Sequence, residues 1–303
     1  MSYHPGEIEV QERAGVRLIA ERNKGVYREM PDVAMDFLSS QPFLFLGAAE
    51  EDGTMWASAV FGVPGFVRAS DPRTVIVGSL PADGDPLLRC LFAGNPVATI
   101  AMDFATRRRM RTNGMISAVG PASFTLQTDQ VYGNCPKYIQ AREWTLREGI
   151  QAESSTAGFM TLTKEALSLI SRADTFFIAS HHPESGADVS HRGGMPGFVV
   201  AEDNETLAFP DYRGNAMFNT LGNLNEYPQA GLLFIDFDSG SLLQLTGTVE
   251  IEWDVEGSPH DLLGTERIVR FHLERGRLMR NAMPLTWSPV QYSPANPKVR
   301  AEG

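Results

Sequence analysis

The chain has 303 residues, 43% of them hydrophobic and 21% charged, and a formal charge of -11. That length buries a sizeable core, as one large domain or as two of about 150 residues each, and the acidic balance argues against nucleic acid or an anionic membrane as a partner. Two cysteines, Cys90 and Cys135, are too few for a disulfide framework; the N-terminus lacks a basic and apolar leader, and no run approaches the roughly 18 apolar residues of a membrane helix, so a cytoplasmic protein is expected.

After an N-terminal extension, VAMDFLSS reads as a short amphipathic helix and FLFLGAA (43–49) as an apolar strand. An EEDGT turn leads into a second strand, MWASAVFG; VPGFV (63–67) opens a third, and TVIVGS is a fourth. DPLLRCLFAGN (85–95) reads as a helix stopped by Pro96, and VATIAMD with RRMRTNGMISAVG supplies two more strands. The arginines of 107–111 alternate along that last strand and read as a solvated face. A linker, 131–166, begins VYGNCPKYIQAREW.

From residue 167 the series repeats. EALSLISR is the helix, TFFIASH the first strand, PESGA the turn, DVSHRGG the second strand, TLAFP the fourth, NAMFNTLGNLN the helix-like segment, and AGLLFIDF with SLLQLTGTVEIEW the closing pair. At a shift of 132, Phe45 falls on Phe177, Gly47 on Ala179, Pro64 on Pro196, Thr74 on Thr206 and Ala98 on Ala230; one inserted residue later, Gly114 falls on Gly247. Register kept through turns and prolines marks a tandem duplication. Six short strands and few helices per copy indicate a mainly β fold of two antiparallel barrels, closed so that no sheet edge remains. The expected division is 1–130, first repeat; 131–166, linker; 167–303, second repeat with IVRFHLERGRLM as a half-wet strand and a proline-rich tail wrapping the surface.

Three stretches together, GEIEVQERAGV, YGNCPKYIQ and SHRGGMPGFV...LAFPDYRGNAMFNTLGN, resemble a two-repeat branch of the pyridoxamine 5′-phosphate oxidase-like, flavin-mononucleotide-binding split barrels. The resemblance implies tandem split β-barrels forming an intrachain pseudo-dimer, with FMN as cofactor and the flavin held between the two halves. It also implies an FMN-dependent oxidoreductase that passes electrons from a reductant such as NAD(P)H, or from a separate reductase, to a small acceptor or oxygen. The chain departs from the true oxidase at YRGN (212–215), where the oxidase has a Ser-Arg-Lys cluster, and in its tail, which lacks the Arg and His signature for the substrate. Both departures argue against pyridoxamine phosphate as substrate. A flavin- or haem-binding protein without catalysis, and a deazaflavin-dependent reductase, are the alternatives.

A flavin phosphate needs cationic donors, best supplied by arginine, and a helix N-terminus. Ser190, His191 and Arg192 on the second strand and Pro210, Asp211 and Tyr212 before the helix are the candidates, Asp211 as a helix cap or a ribityl partner. Asn215, Asn219, Thr220 and Gln244 are candidates for the ribityl hydroxyls, the two asparagines sharing a helix face. Val60 stands where the second copy has Arg192, so one flavin per chain is expected, covered by Trp56, Tyr132, Lys137 and Tyr138. No catalytic residue is assigned, His181-His182 lacks further ligands for a metal, and the assembly is a pseudo-dimeric monomer or a homodimer.

Overall fold

In the computed structural model, residues 3–23, 25–147, 155–255 and 264–297 are described. The first repeat builds seven strands: β1 (Phe43–Ala49), β2 (Met55–Phe61), β3 (Val67–Asp71), β4 (Thr74–Val77), β5 (Pro96–Asp103), β6 (Arg108–Val119) and β7 (Phe124–Gly133). They form an antiparallel sheet in the order β2-β1-β5-β6-β7-β4-β3. After β8 (Trp144–Leu146) and β9 (Ser155–Phe159) come β10 (Thr175–His182), β11 (Gly186–Gly193), β12 (Val200–Ala201), β13 (Thr206–Tyr212), β14 (Gln229–Asp236), β15 (Ser241–Glu252) and β16 (Thr265–Arg280). Their order, β11-β10-β14-β15-β16-β13-β12, is that of the first sheet strand for strand, with β9 added on β16. β17 (Leu285–Trp287) pairs with β8 and ties the tail to the segment between the sheets.

Register places the inserted residue of the duplication before β5. Phe45 opposes Ile100 while Phe177 opposes Leu233, so the shift is already 133 in that strand. Seven strands per copy replace the expected six, because β7 and β16 run through residues read as linker or as a lone strand. Nor does either sheet close: each is an open path with β2 and β3, or β11 and β12, at its ends. The β2 edge is met instead by the other barrel, where Gln244 Nε2 donates to the Ala57 carbonyl at 3.0 Å.

The two copies face each other about a pseudo-two-fold axis. Phe45 and Phe177, equivalent by the repeat, stack with ring centroids 3.8 Å apart. Around them one buried cluster draws from both sheets, including Phe43, Ala57, Ile100, Val189, Leu233 and Met279. A residue touching its own counterpart is the mark of a self-complementary interface, here made within one chain. Among the described residues, no helix is long and apolar enough to cross a membrane.

Helices are few: α1 (Pro5–Arg13), α2 (Arg17–Glu21), α3 (Asp32–Ser39), α4 (Lys164–Arg172) and α5 (Asn219–Glu226). The segment 85–95 forms only a 3-10 turn over Pro86–Cys90. The N-terminal extension, read without a helix from the sequence, forms α1, which crosses α5 at contact distance. A Cβ on Gly222 would lie 2.6 Å from Glu7 Cα, so only glycine lets the two backbones meet. Polar bonds lock the crossing: Asn219 Nδ2 donates to Glu7 Oε1 at 2.6 Å, and Gln11 Nε2 to the Met217 carbonyl at 2.8 Å.

Burial pushes the Glu7 carboxyl up from 4.5 to about 7. The native state therefore holds its proton longer than the unfolded chain, and stability falls as pH rises from 4.5 to about 7, then levels. That loss is at most about 3 kcal/mol. His4, His181 and His191, whose pKa values burial lowers, make stability rise with pH below about 6.5, so the Glu7 share is read as the difference between wild type and Glu7→Gln in urea unfolding from pH 5 to 8; a difference that does not change with pH would remove Glu7 as a source.

Candidate functional site

A cavity opens where β11 and the start of α5 face β6 of the other barrel. Eleven of the fourteen candidates from the sequence line it: Ser190, His191, Arg192, Pro210, Asp211, Tyr212, Asn215, Asn219, Thr220, Lys137 and Tyr138. Arg109 and Arg111 line it too, and they are the residues the sequence reading left in solvent. β6 does expose Arg108, but its neighbours at 109 and 111 alternate inward. The signal was present as two arginines at spacing two, 109 and 111, on one strand face.

Arg111 is 7% exposed and bridges the barrels. It donates to Asp188 Oδ1 at 2.9 Å and to Ser190 Oγ at 2.5 Å. Thr220 Oγ1 closes the network on Asp188 Oδ2 at 2.6 Å. Arg109 has no such carboxylate. It donates to His191 Nδ1 at 3.0 Å and to the Cys135 carbonyl at 2.7 Å. Burial, with Arg111 and Arg192 nearby, brings its pKa down to about 9. An arginine buried without a counter-ion is costly unless something anionic joins it.

His191 faces this same charge rather than solvent. It is 6% exposed, with its ring edge-on to Phe177 at 5.6 Å. Burial, and then Arg109, Arg192 and Arg111, hold its pKa well below the ordinary value. Because a guanidinium only donates, His191 Nδ1 must accept and Nε2 must carry the proton. That Nε2 is buried and unpartnered, as are Nε of Arg109, Arg111 and Arg192. Four unsatisfied donors thus converge on one cavity, the donor set an anion requires.

Arg192 is held by Asp211, which also takes two bonds from Arg267, at 2.9 and 2.7 Å. Asp211 is therefore a charge partner and not a helix cap: α5 begins at Asn219, capped by Phe218 in the left-handed region at φ 61°. Asn215 lies before the helix, where its side chain accepts from the Met217 N–H at 3.1 Å, so it shares no helix face with Asn219. Ala216 and Tyr138 also have positive φ, 62° and 66°. Three strained non-glycine residues around one cavity fit a ligand site, where such strain collects. Tyr138 rests on Tyr212 with centroids 5.3 Å apart, and Lys137 stands exposed at the rim.

Trp56, Tyr132 and Gln244 stand elsewhere. Tyr132 is buried behind Arg111, to whose NH1 its hydroxyl lies at 3.2 Å. Trp56 occupies the position equivalent to Asp188 and packs in the core of the first barrel, its Nε1 on Glu50 at 2.7 Å. Gln244 is the counterpart of Arg111 and donates to Asp85 at 3.0 Å, in the mirror position of the site. There the related cavity is lined by Ala59, Val60 and Leu242 in place of His191, Arg192 and Arg109. The fold is repeated at that place and the cluster of Arg109, Arg111 and Arg192 is not.

His4, His182 and Glu226 place ligand-type atoms within 4.8 Å of one another. The N–H groups of Glu184 and Ser185 both donate to His182 Nδ1 at 3.2 Å, so Nε2 carries the proton it gives to Glu226. Metal binding through Nε2 needs the opposite tautomer.

Residues 162–278 match the family model described as pyridoxamine 5′-phosphate oxidase. The match places the likeness to the pyridoxamine 5′-phosphate oxidase-like superfamily in the second barrel. Most of this oxidase-like half of the cavity, from Ser190 to Leu221, falls inside the match, while Arg109 and Arg111 fall outside it. No curated protein matches the chain. Among solved structures, HupZ of Group A Streptococcus is similar at 15% identity and TM-score 0.32, over 38% of this chain and 91% of its own. A Clostridium acetobutylicum protein related to general stress protein 26, of the pyridoxinephosphate oxidase family, is similar at 14% identity and TM-score 0.31, over 41% and 91%. General stress protein 26 of Bacillus anthracis gives 10% identity and TM-score 0.26, over 43% and 96%.

Proposed function

We propose that the chain binds flavin mononucleotide in the inter-barrel cavity and works as an FMN-dependent oxidoreductase. The observation that carries this reading is Arg109, half-buried and without a carboxylate partner among the described residues, beside three further unsatisfied donors on Arg111, His191 and Arg192. These groups fit a phosphate. Arg109 and Arg192 supply charge, His191 Nε2–H supplies a neutral donor, and α5 starts at the same wall. Ser190, Thr220 and Asn219 suit the hydroxyls of a ribityl chain. When bound, the flavin supplies the hydride and single-electron chemistry. The protein's part is to grip the anionic tail, to fix it between the barrels, and to keep His191 neutral so that it donates across the physiological range.

The superfamily match of the second barrel supports the same reading. Haem ligation by His191 is disfavoured, because Arg109 leaves the proton on Nε2, the atom an axial ligand would use. The test is the visible spectrum of the purified protein and a fluorescence titration with FMN. A flavin spectrum and tight binding are expected. Arg192→Ala is expected to weaken FMN by roughly 1.5–3 kcal/mol, the worth of a charge-assisted bond. A haem Soret band, or binding of a deazaflavin but not FMN, would overturn the reading.

A further inference from the structure

A second polar cavity lies on the other side of the Arg111–Asp188 pair, and its charge has the opposite sign. Its volume is about 420 Å³, and α1, the turn between β10 and β11, α5 and the β6–β7 pair wall it. Four carboxylates line it, Glu7, Asp129, Glu184 and Asp188, whereas Arg28 is the one cation among the described residues that do so. Asp188 is already paired with Arg111, but Glu7 takes its hydrogen bonds from neutral donors, the His4 N–H and Asn219 Nδ2, with the His4 ring, whose pKa burial lowers, 3.8 Å away. Asn113 adds an independent sign of a ligand. It lines the cavity, is 6% exposed, and its Oδ1 has no hydrogen-bond partner. A buried acceptor with an empty lone pair asks for a donor.

We infer that this cavity is a binding site for a small organic ammonium ion. The carboxylates supply the countercharge and Asn113 Oδ1 a neutral acceptor for one of the ammonium hydrogens. Asn219 lines this cavity and the basic one alike. A cation bound here thus sits one side chain away from an anion bound there. Ammonium binding stands independently of the flavin reading; only a role for the amine as substrate rests on it. Glu7 links the site to pH. Its carboxyl titrates near 7, and an ammonium ion favours the carboxylate, so affinity rises between pH 6 and pH 8 as Glu7 gives up its proton.

The test uses three ligands on one four-carbon skeleton, 1,4-diaminobutane, butane-1,4-diol and succinate, by calorimetry and thermal shift on flavin-free protein at physiological ionic strength. Saturable binding of the diamine alone is expected. Asp129 and Glu184 are exposed, so Asp129→Asn with Glu184→Gln leaves folding intact and is expected to weaken the diamine at least tenfold. Glu21→Gln, outside the cavity, serves as control for general attraction to an acidic protein and is expected to change nothing. Equal binding of all three ligands, no diamine binding, or a double variant no weaker than the control overturns the site. Arg192→Ala separates the two readings: it is expected to weaken FMN at least tenfold and to bind the diamine unchanged.

Discussion

Arg109→Leu is expected to raise the stability of the flavin-free protein and to abolish its binding of FMN. The guanidinium is half-buried, has no carboxylate partner among the described residues, and feels Arg111 and Arg192. Removing a charge from such a place returns desolvation energy that its two neutral acceptors do not offset. The acceptors left behind, His191 Nδ1 and the Cys135 carbonyl, limit the gain, since each unsatisfied group costs about 1–3 kcal/mol. The fold itself shows that leucine fits, because Leu242 fills the equivalent position in the other barrel. A net gain of about 1–2 kcal/mol is expected in urea unfolding, with FMN weakened by about 2–5 kcal/mol in the titration. Stability and ligand grip then move in opposite directions, as at sites that store charge for a ligand. A less stable variant that still binds FMN at the original dissociation constant would contradict the role given to Arg109.

Repetition made most of this legible. Equivalent strands carry equivalent apolar residues, so the match of Phe45 with Phe177 marked the duplication, and the structure adds that the two stack on its axis. β11 and the entry to α5 were readable for a different reason: Ser190, Arg192, Asp211 and Asn219 are polar where neighbouring segments are apolar. Strand alternation alone could not tell which face of β6 is covered, because the cover comes from the other barrel. Arg109 and Arg111 were therefore read as solvated. Gln244 misled for the same reason. Its burial is real, but it belongs to the mirror of the site, which lacks the arginine cluster. α1 was invisible because its contact with α5 rests on two glycines, Gly6 and Gly222, and glycine carries no helical periodicity.

Since the basic cavity is assembled from both barrels, a wedge between them should damage fold and site together. Gly231, in β14, offers the place. A Cβ there would lie 2.7 Å from Ala57 N and from Trp56 C and Cα, all main-chain atoms of β2 in the other barrel. No rotamer change relieves a clash with backbone, and β2 cannot yield alone. It is paired along its length with β1, and the Ala57 carbonyl is held by Gln244. The barrels must move apart instead. Arg111–Asp188 and Arg109–His191 span that same interface and would lengthen with it. Gly231→Ala is expected to destabilise the protein by about 1–3 kcal/mol, the usual cost of overpacking, and to weaken FMN at least tenfold. Gly158→Ala is the control, because its Cβ would meet only the Gly276 carbonyl at 3.9 Å. A Gly231→Ala protein with the control's unfolding midpoint and FMN affinity would mean that the two barrels are not rigidly apposed, and that the cavity does not depend on their register.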